Sequence, residues 1–158
     1  TRRLVEERVP LLGICYGHQI LARAMGGIVG DHPLGLEIGT REAILSGEAQ
    51  KDLLFKKLPP RFKVHEFHSQ SVAELPPRAL LLAGNDFDPH QAFRIGTSAW
   101  GVQFHPEARG EITKGYVRNL EKEVRAQGQD PARIIDEICE TPHAAALLKG
   151  FGDLVFPK

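Results

Sequence analysis

The residue best equipped for chemistry is Cys15, in the string Gly13-Ile14-Cys15-Tyr16-Gly17. An apolar run, Val9 to Ile14, stops there, and Ile20, Leu21, Ala24 and Met25 then recur at helical spacing. G-x-C-x-G has the shape of the strand–turn–helix elbow that presents a nucleophile, with sulfur replacing oxygen. The turn is sharp, so Gly13 and Gly17 are expected to remove Cβ atoms that would collide. A helix starting near Gly17 aims its N-terminus at the sulfur and is expected to favour thiolate. The amide of Tyr16 falls where it can donate to an oxyanion. The competing reading is a small buried cysteine filling a strand end.

A second string, Gly101-Val102-Gln103-Phe104-His105-Pro106-Glu107, supplies what a thiol needs. Strand alternation puts Val102 and Phe104 on one face and Gly101, Gln103 and His105 on the other. Pro106 ends the ladder, so His105 sits at the strand's carboxyl end. Cys15 also lies just past the carboxyl end of a strand, and ligands of open α/β sheets bind at that edge. Glu107 follows His105 closely enough to orient its ring. Nucleophile, base and orienter make up the logic of a catalytic triad.

The elements that would hold these residues read as an α/β protein. A short helical end precedes Val9, and Gly26-Gly27 stops the helix after Cys15. Residues 36–46 are extended, 50–58 read as a short helix, and 61–69 and 79–84 read as strands. Residues 92–96 and 99–104 form a hairpin about Thr97 and Ser98. Residues 110–127 and 131–150 carry helical patterns, broken between Gly128 and Pro131. The fold expected is flavodoxin-like: a doubly wound, mainly parallel sheet with an antiparallel extension. It forms a single domain over 1–158, with 121–158 a helical C-terminal extension.

The chain has 158 residues, 42% of them hydrophobic, with 20 basic and 20 acidic side chains. That balance leaves no electrostatic footprint for nucleic acid or an anionic membrane. No apolar run approaches a bilayer span, and the start is charged, so a cytoplasmic protein is expected. Two distant cysteines make no disulfide framework, and Cys139, among apolar neighbours, is expected to be structural. A metal site is not expected: His65-Glu66-Phe67-His68 is not H-E-x-x-H and signals no third ligand.

G-I-C-Y-G-H-Q and G-V-Q-F-H-P-E together resemble the two signatures of class I glutamine amidotransferases of the triad type. The resemblance runs over residues 9–120 in order and spacing, and is nearest to stand-alone proteins similar to the amidotransferase part of GMP synthase. It implies that Cys15 is the nucleophile, His105 the acid/base and Glu107 its partner. It also implies that Gln19, Ser69 and Gln70 contact substrate, with His68 structural. The implied reaction releases ammonia from the glutamine side chain through a glutamyl thioester, without cofactor. The ammonia would pass to an acceptor held by a separate synthase subunit or domain, since the chain has no P-loop or dinucleotide fingerprint. The family's glycine-rich loop before the nucleophile strand, which supplies a second oxyanion donor, has no counterpart among residues 1–8. A chain truncated at its N-terminus is therefore expected. Two other readings use the same residues. One is a hydrolase of γ-glutamyl compounds. The other is a non-catalytic binding protein, against which the intact Cys15, His105 and Glu107 argue.

Overall fold

A computed structural model describes residues 1–156. The elements run α1 (Arg2–Glu6), β1 (Leu11–Ile14), α2 (Tyr16–Ala24), β2 (Ile28–Asp31), β3 (Glu37–Leu45), β4 (Arg61–His68), β5 (Gln70–Glu74), β6 (Leu80–Gly84), β7 (Ala92–Ile95) and β8 (Ala99–Val102). Four helices follow: α3 (Gly110–Asn119), α4 (Glu121–Ala126), α5 (Pro131–Glu137) and α6 (Pro142–Val155). Six strands form one sheet in the order β1-β8-β7-β6-β3-β4, and β2 pairs with β5 beside it.

The α/β class expected from sequence holds, and the balance within the sheet differs. Among the described residues, parallel pairing is confined to β1 and β8, in register from Leu11–Ala99 to Ile14–Val102. The other pairings are antiparallel, so the expected extension is the larger part. Connection length explains this. Parallel neighbours need a crossover of about a dozen residues or more, whereas β7 and β8 are joined by the tight turn at Gly96–Ser98.

Alternation along β7 and β8 divides the interior. Ala92, Trp100 and Val102 join Phe62, Val64 and Leu82 under Ala144 and Leu147 of α6. Phe93, Ile95 and Ala99 pack on the other face against Leu21 and Ala22 of α2. A third cluster, Leu36, Ile38, Val117, Val124 and Ile134, holds α3, α4 and α5 against β3.

Three expectations need correction. Residues 50–58 are not a helix: a 3₁₀ turn spans Gly47–Lys51 and turns follow it. Buried Asp52 organises that stretch, accepting from the amides of Leu54 and Phe55, from Arg94 Nε at 2.7 Å and from Trp100 Nε1 at 3.1 Å. The two C-terminal helical runs are four helices. Pro131, behind the capping carboxylate of Asp130, starts α5, and Pro142 starts α6. Cys139 lies in the break between those two, exposed rather than packed, its N–H donating to Thr40 Oγ1.

Candidate active site

Cys15 sits between β1 and α2 with φ +47° and ψ −103°. A non-glycine residue at positive φ is strained, and its neighbours hold it there. Its N–H donates to Val102 O at 2.8 Å, and its carbonyl accepts from Gln19 N at 3.1 Å. The elbow is thus bonded to β8 on one side and to the first turn of α2 on the other.

The two glycines do different work. A Cβ on Gly13 would lie 2.5 Å from Gly17 O, so this strand can approach α2 only without a side chain. A Cβ on Gly17 would meet nothing within 4 Å, so the steric argument holds for Gly13 and fails for Gly17.

The sulfur faces a cleft of about 440 Å³, also lined by Tyr16, Gln19, Ser69 and Gln70. Gln103 Nε2 donates to Cys15 Sγ at 3.5 Å, and Gln103 Oε1 accepts from Gln19 Nε2 at 3.1 Å. Gln19 Nε2 also donates to Gln70 O at 2.8 Å. Gln70 therefore serves this network through its carbonyl. Its side chain turns away to Asp31, at 3.0 Å.

His105 and Glu107 form a pair, Nδ1 to Oε1 at 2.6 Å. The ring stacks on Phe67 at 3.7 Å between centroids, and Phe67 stacks on Tyr116 at 4.0 Å. His105 N–H donates to His65 O on β4, so the backbone after β8 is also pinned. Nε2 is buried and has no hydrogen-bond partner among the described residues. The side-chain partner of the sulfur is Gln103, not His105.

The expected thiolate is not the resting state. Burial pushes the Cys15 thiol up to about 11, and the Glu66 carboxylate adds to the rise. The Tyr16 N–H, at the start of α2, pulls the other way and does not prevail. Burial would raise the Glu107 carboxyl too, but its hydrogen bond from His105 holds it below its ordinary value.

The sequence of residues 1–124 matches the family Glutamine amidotransferase class-I. The chain belongs to that family. One subunit of the glutamine-hydrolysing GMP synthase of Pyrococcus abyssi is 39% identical over 119 residues, 74% of this chain and 61% of that protein. Gamma-glutamyl peptidase 5 of Arabidopsis thaliana is 35% identical over 113 residues, 70% of this chain and 45% of that one. The crystal structure of a glutamine amidotransferase from Thermotoga maritima superposes with a TM-score of 0.79 at 25% identity, covering 99% of this chain and 66% of that one. The chain spans less than two thirds of the length of these relatives.

Close to Cys15, this class-I amidotransferase chain carries a buried polar layer. His68 Nδ1 donates to Gln70 O at 2.9 Å, and Nε2 lies 3.0 Å from Glu37 Oε2 and 3.3 Å from Glu66 Oε2. Glu37 also accepts from Asn85 Nδ2 at 2.7 Å and Gln91 Nε2 at 2.8 Å. Glu37, Glu66 and His68 are within reach of a common cation, their ligand atoms lying within 4.8 Å of one another. The bonding describes a different species. A ring whose two nitrogens face a carbonyl and a carboxylate must donate from both, and such a ring has no lone pair for a metal. Burial would lower the His68 pKa, but its bonds to Glu37 and Glu66 lift it to about 10.

Sequence reasoning singled out neither Gln103, Glu66 nor Phe67, nor the far wall of the cleft. Alternation had already put Gln103 on the face of His105, and that was the available signal. The far wall comes from Leu36, Leu120, Glu123 and Gln127, brought there by tertiary packing alone. No helix among the described residues is long and apolar enough to cross a membrane.

Proposed function

We propose that the chain hydrolyses the side-chain amide of glutamine through a cysteinyl thioester. His105 Nε2 takes the proton of Cys15 as the sulfur attacks the amide carbon, and the Tyr16 amide donates to the resulting oxyanion. Collapse breaks the carbon–nitrogen bond, and His105 returns the proton to the departing ammonia. Water then attacks the thioester, giving its proton to His105. Glutamate leaves and the thiol is restored. Glu107 holds the ring and stabilises the imidazolium. Gln19, Ser69 and Gln70 bound the substrate.

The observation that carries this reading is the strained Cys15 at the cleft, its backbone bonded to Val102, three residues before a histidine already paired with a carboxylate. A neutral resting thiol fits a mechanism in which the proton moves only as substrate is attacked. The ammonia goes to a separate synthase protein, in keeping with relatives named as single subunits of a glutamine-hydrolysing GMP synthase. The test is glutamate release by the intact protein. Cys15→Ser is expected to abolish it while leaving circular dichroism and melting unchanged, and unaltered release by that variant would overturn the assignment.

The relative named gamma-glutamyl peptidase 5 favours a second reading, hydrolysis of γ-glutamyl compounds with larger leaving groups. Comparing kcat/KM for free glutamine and for γ-glutamyl dipeptides separates the two.

A further inference from the structure

Glu107 alone does not hold the His105 ring in place. Among the described residues the ring has one hydrogen bond, from Nδ1 to Glu107 Oε1, and that carboxylate is half exposed in a turn. A single bond to such a group fixes one atom of the ring and leaves its plane free to tilt. Nε2, the atom that would exchange protons with the sulfur, has no partner among the described residues to steady it.

Two rings from other elements supply the plane. Phe67, near the end of β4, lies 3.7 Å from the imidazole between centroids and at 20° to it. Tyr116 of α3 lies 4.0 Å from Phe67 and at 8° to it. Two rings cannot share one face of Phe67 at those distances, so Phe67 is held between them. Its own position is set by the buried cluster it packs against, to which Ile38 of β3, Val117 of α3, Val124 of α4 and Ile134 of α5 contribute. Tyr116, beside buried Val117, closes the stack at the surface. The helices after β8 thus reach the histidine through Phe67.

The face of Phe67 has a second effect. An aromatic face is the negative pole of the ring's quadrupole and attracts a cation. In the proposed mechanism His105 becomes a cation only as it takes the proton of Cys15. The contact then strengthens on the way to the transition state, which raises kcat and does not tighten substrate binding.

Resting on the reading that His105 is the acid/base of γ-glutamyl amide hydrolysis, we propose that Phe67, backed by Tyr116, is a positioning residue of that reaction. It fixes the plane of the His105 ring for proton exchange with Cys15 and stabilises the imidazolium that forms.

The experiment measures kcat and KM for glutamine by glutamate release on the intact protein and its Phe67→Leu, Phe67→Tyr and Tyr116→Ala variants. Alkylation of Cys15 by iodoacetamide, in a Cys139→Ser background, is followed in parallel as a check on the nucleophile. Phe67→Leu removes the aromatic face and keeps an apolar side chain. It is expected to lower kcat about 5- to 30-fold, with KM and the alkylation rate each within about threefold. Phe67→Tyr restores the face and should recover kcat to within about threefold of the unsubstituted protein. Tyr116→Ala removes only the backing ring, at an exposed position, and is expected to lower kcat about two- to fivefold. An unchanged kcat in Phe67→Leu, or a loss that Phe67→Tyr does not recover, would overturn the proposal. So would a parallel fall of kcat and alkylation rate, which would give Phe67 a merely structural part. If Phe67→Leu does not fold, an unchanged kcat in Tyr116→Ala overturns it. Absence of glutamate release from both glutamine and a γ-glutamyl dipeptide in the unsubstituted protein would instead overturn the reading of His105 beneath it.

Discussion

The resting state of Cys15 can be read directly from its alkylation rate. A thiol at 9.0 is ionised about one part in ten at pH 8, and one at about 11 about one part in a thousand. Iodoacetamide reacts with the thiolate, so Cys15 should label about a hundredfold more slowly than an ordinary thiol at that pH, equivalent to about 3 kcal/mol. Cys139 is exposed and would mask this, so the measurement belongs in a Cys139→Ser background. The rate, followed from about pH 7 to about pH 11, should still be rising at the upper limit. Burial is the first cause of the raised value and the charge of Glu66 the second. Burial pushes the Glu66 carboxyl itself up to about 8, so this carboxyl is ionised where the thiol titrates. Glu66→Gln removes that charge at nearly constant shape. Its profile should shift down, toward 9.0 but short of it, because burial remains. An inflection at or below about pH 8 in the unsubstituted protein would refute the reasoning. The N-terminus of α2 would then outweigh burial, and the thiolate would be the resting form.

Three further outcomes follow from the same geometry. His105→Asn is expected to lower kcat for glutamine about 100- to 10,000-fold and Glu107→Gln by less, with the Cys15→Ser/His105→Asn double variant no worse than the worse single, all measured by glutamate release. Gly13→Ala forces a Cβ against the Gly17 carbonyl and should cost about 3 kcal/mol, a fall in Tm of about 6–12 °C, while Gly17→Ala changes Tm little; equal melting of the two variants would contradict the packing at the elbow. His18 is fully buried, and burial lowers its pKa to about 3. The unfolded chain then binds the extra proton below about pH 6.5, so stability should fall there by roughly 1.4 kcal/mol per pH unit, and His18→Asn should flatten that slope in urea melts.

What the sequence disclosed and what it withheld divide along a physical line. Cys15, His105 and Glu107 were legible because an elbow and a strand end are local: a glycine next to a tight approach and a proline after a ladder fix them within a few residues. The hairpin about Thr97 and Ser98 was legible for the same reason. The pairing of β2 with β5 was not, because Ile28–Asp31 is short and two-sided, with nothing in its period to name a partner. The break at 138–141 was hidden because Ile134, Ile135 and Ile138 continue a helical spacing that Pro142 interrupts only afterwards. Gly17 was assigned a steric duty because its type fits the motif, whereas the space around it is open. The far wall of the cleft depends on Val124 and Ile134 docking on β3, a contact between distant segments that no local pattern announces.

In the proposed mechanism, the buried layer close to Cys15 explains why a thiol this protonated can still be held ready. His68 donates from both ring nitrogens, so it carries a positive charge, and Glu37, which accepts from Asn85 and Gln91 as well, is its counter-ion. That pair is neutral. A second buried carboxylate would leave the layer with a net charge, which a low-dielectric interior resists. Burial accordingly lifts Glu66 to about 8, and at neutral pH this carboxyl is mostly protonated. The layer then carries little net charge, and little negative charge stands near the sulfur at the step where, in the proposed mechanism, Cys15 gives its proton to His105. As pH rises through about 8, Glu66 ionises and raises the cost of that transfer. Glutamine turnover should therefore decline on the alkaline side from about pH 8. In Glu66→Gln the decline should move to higher pH, although the substitution touches neither His105 nor the cleft wall. An alkaline limb that stays in place in this variant would mean that the buried layer and the nucleophile are not coupled.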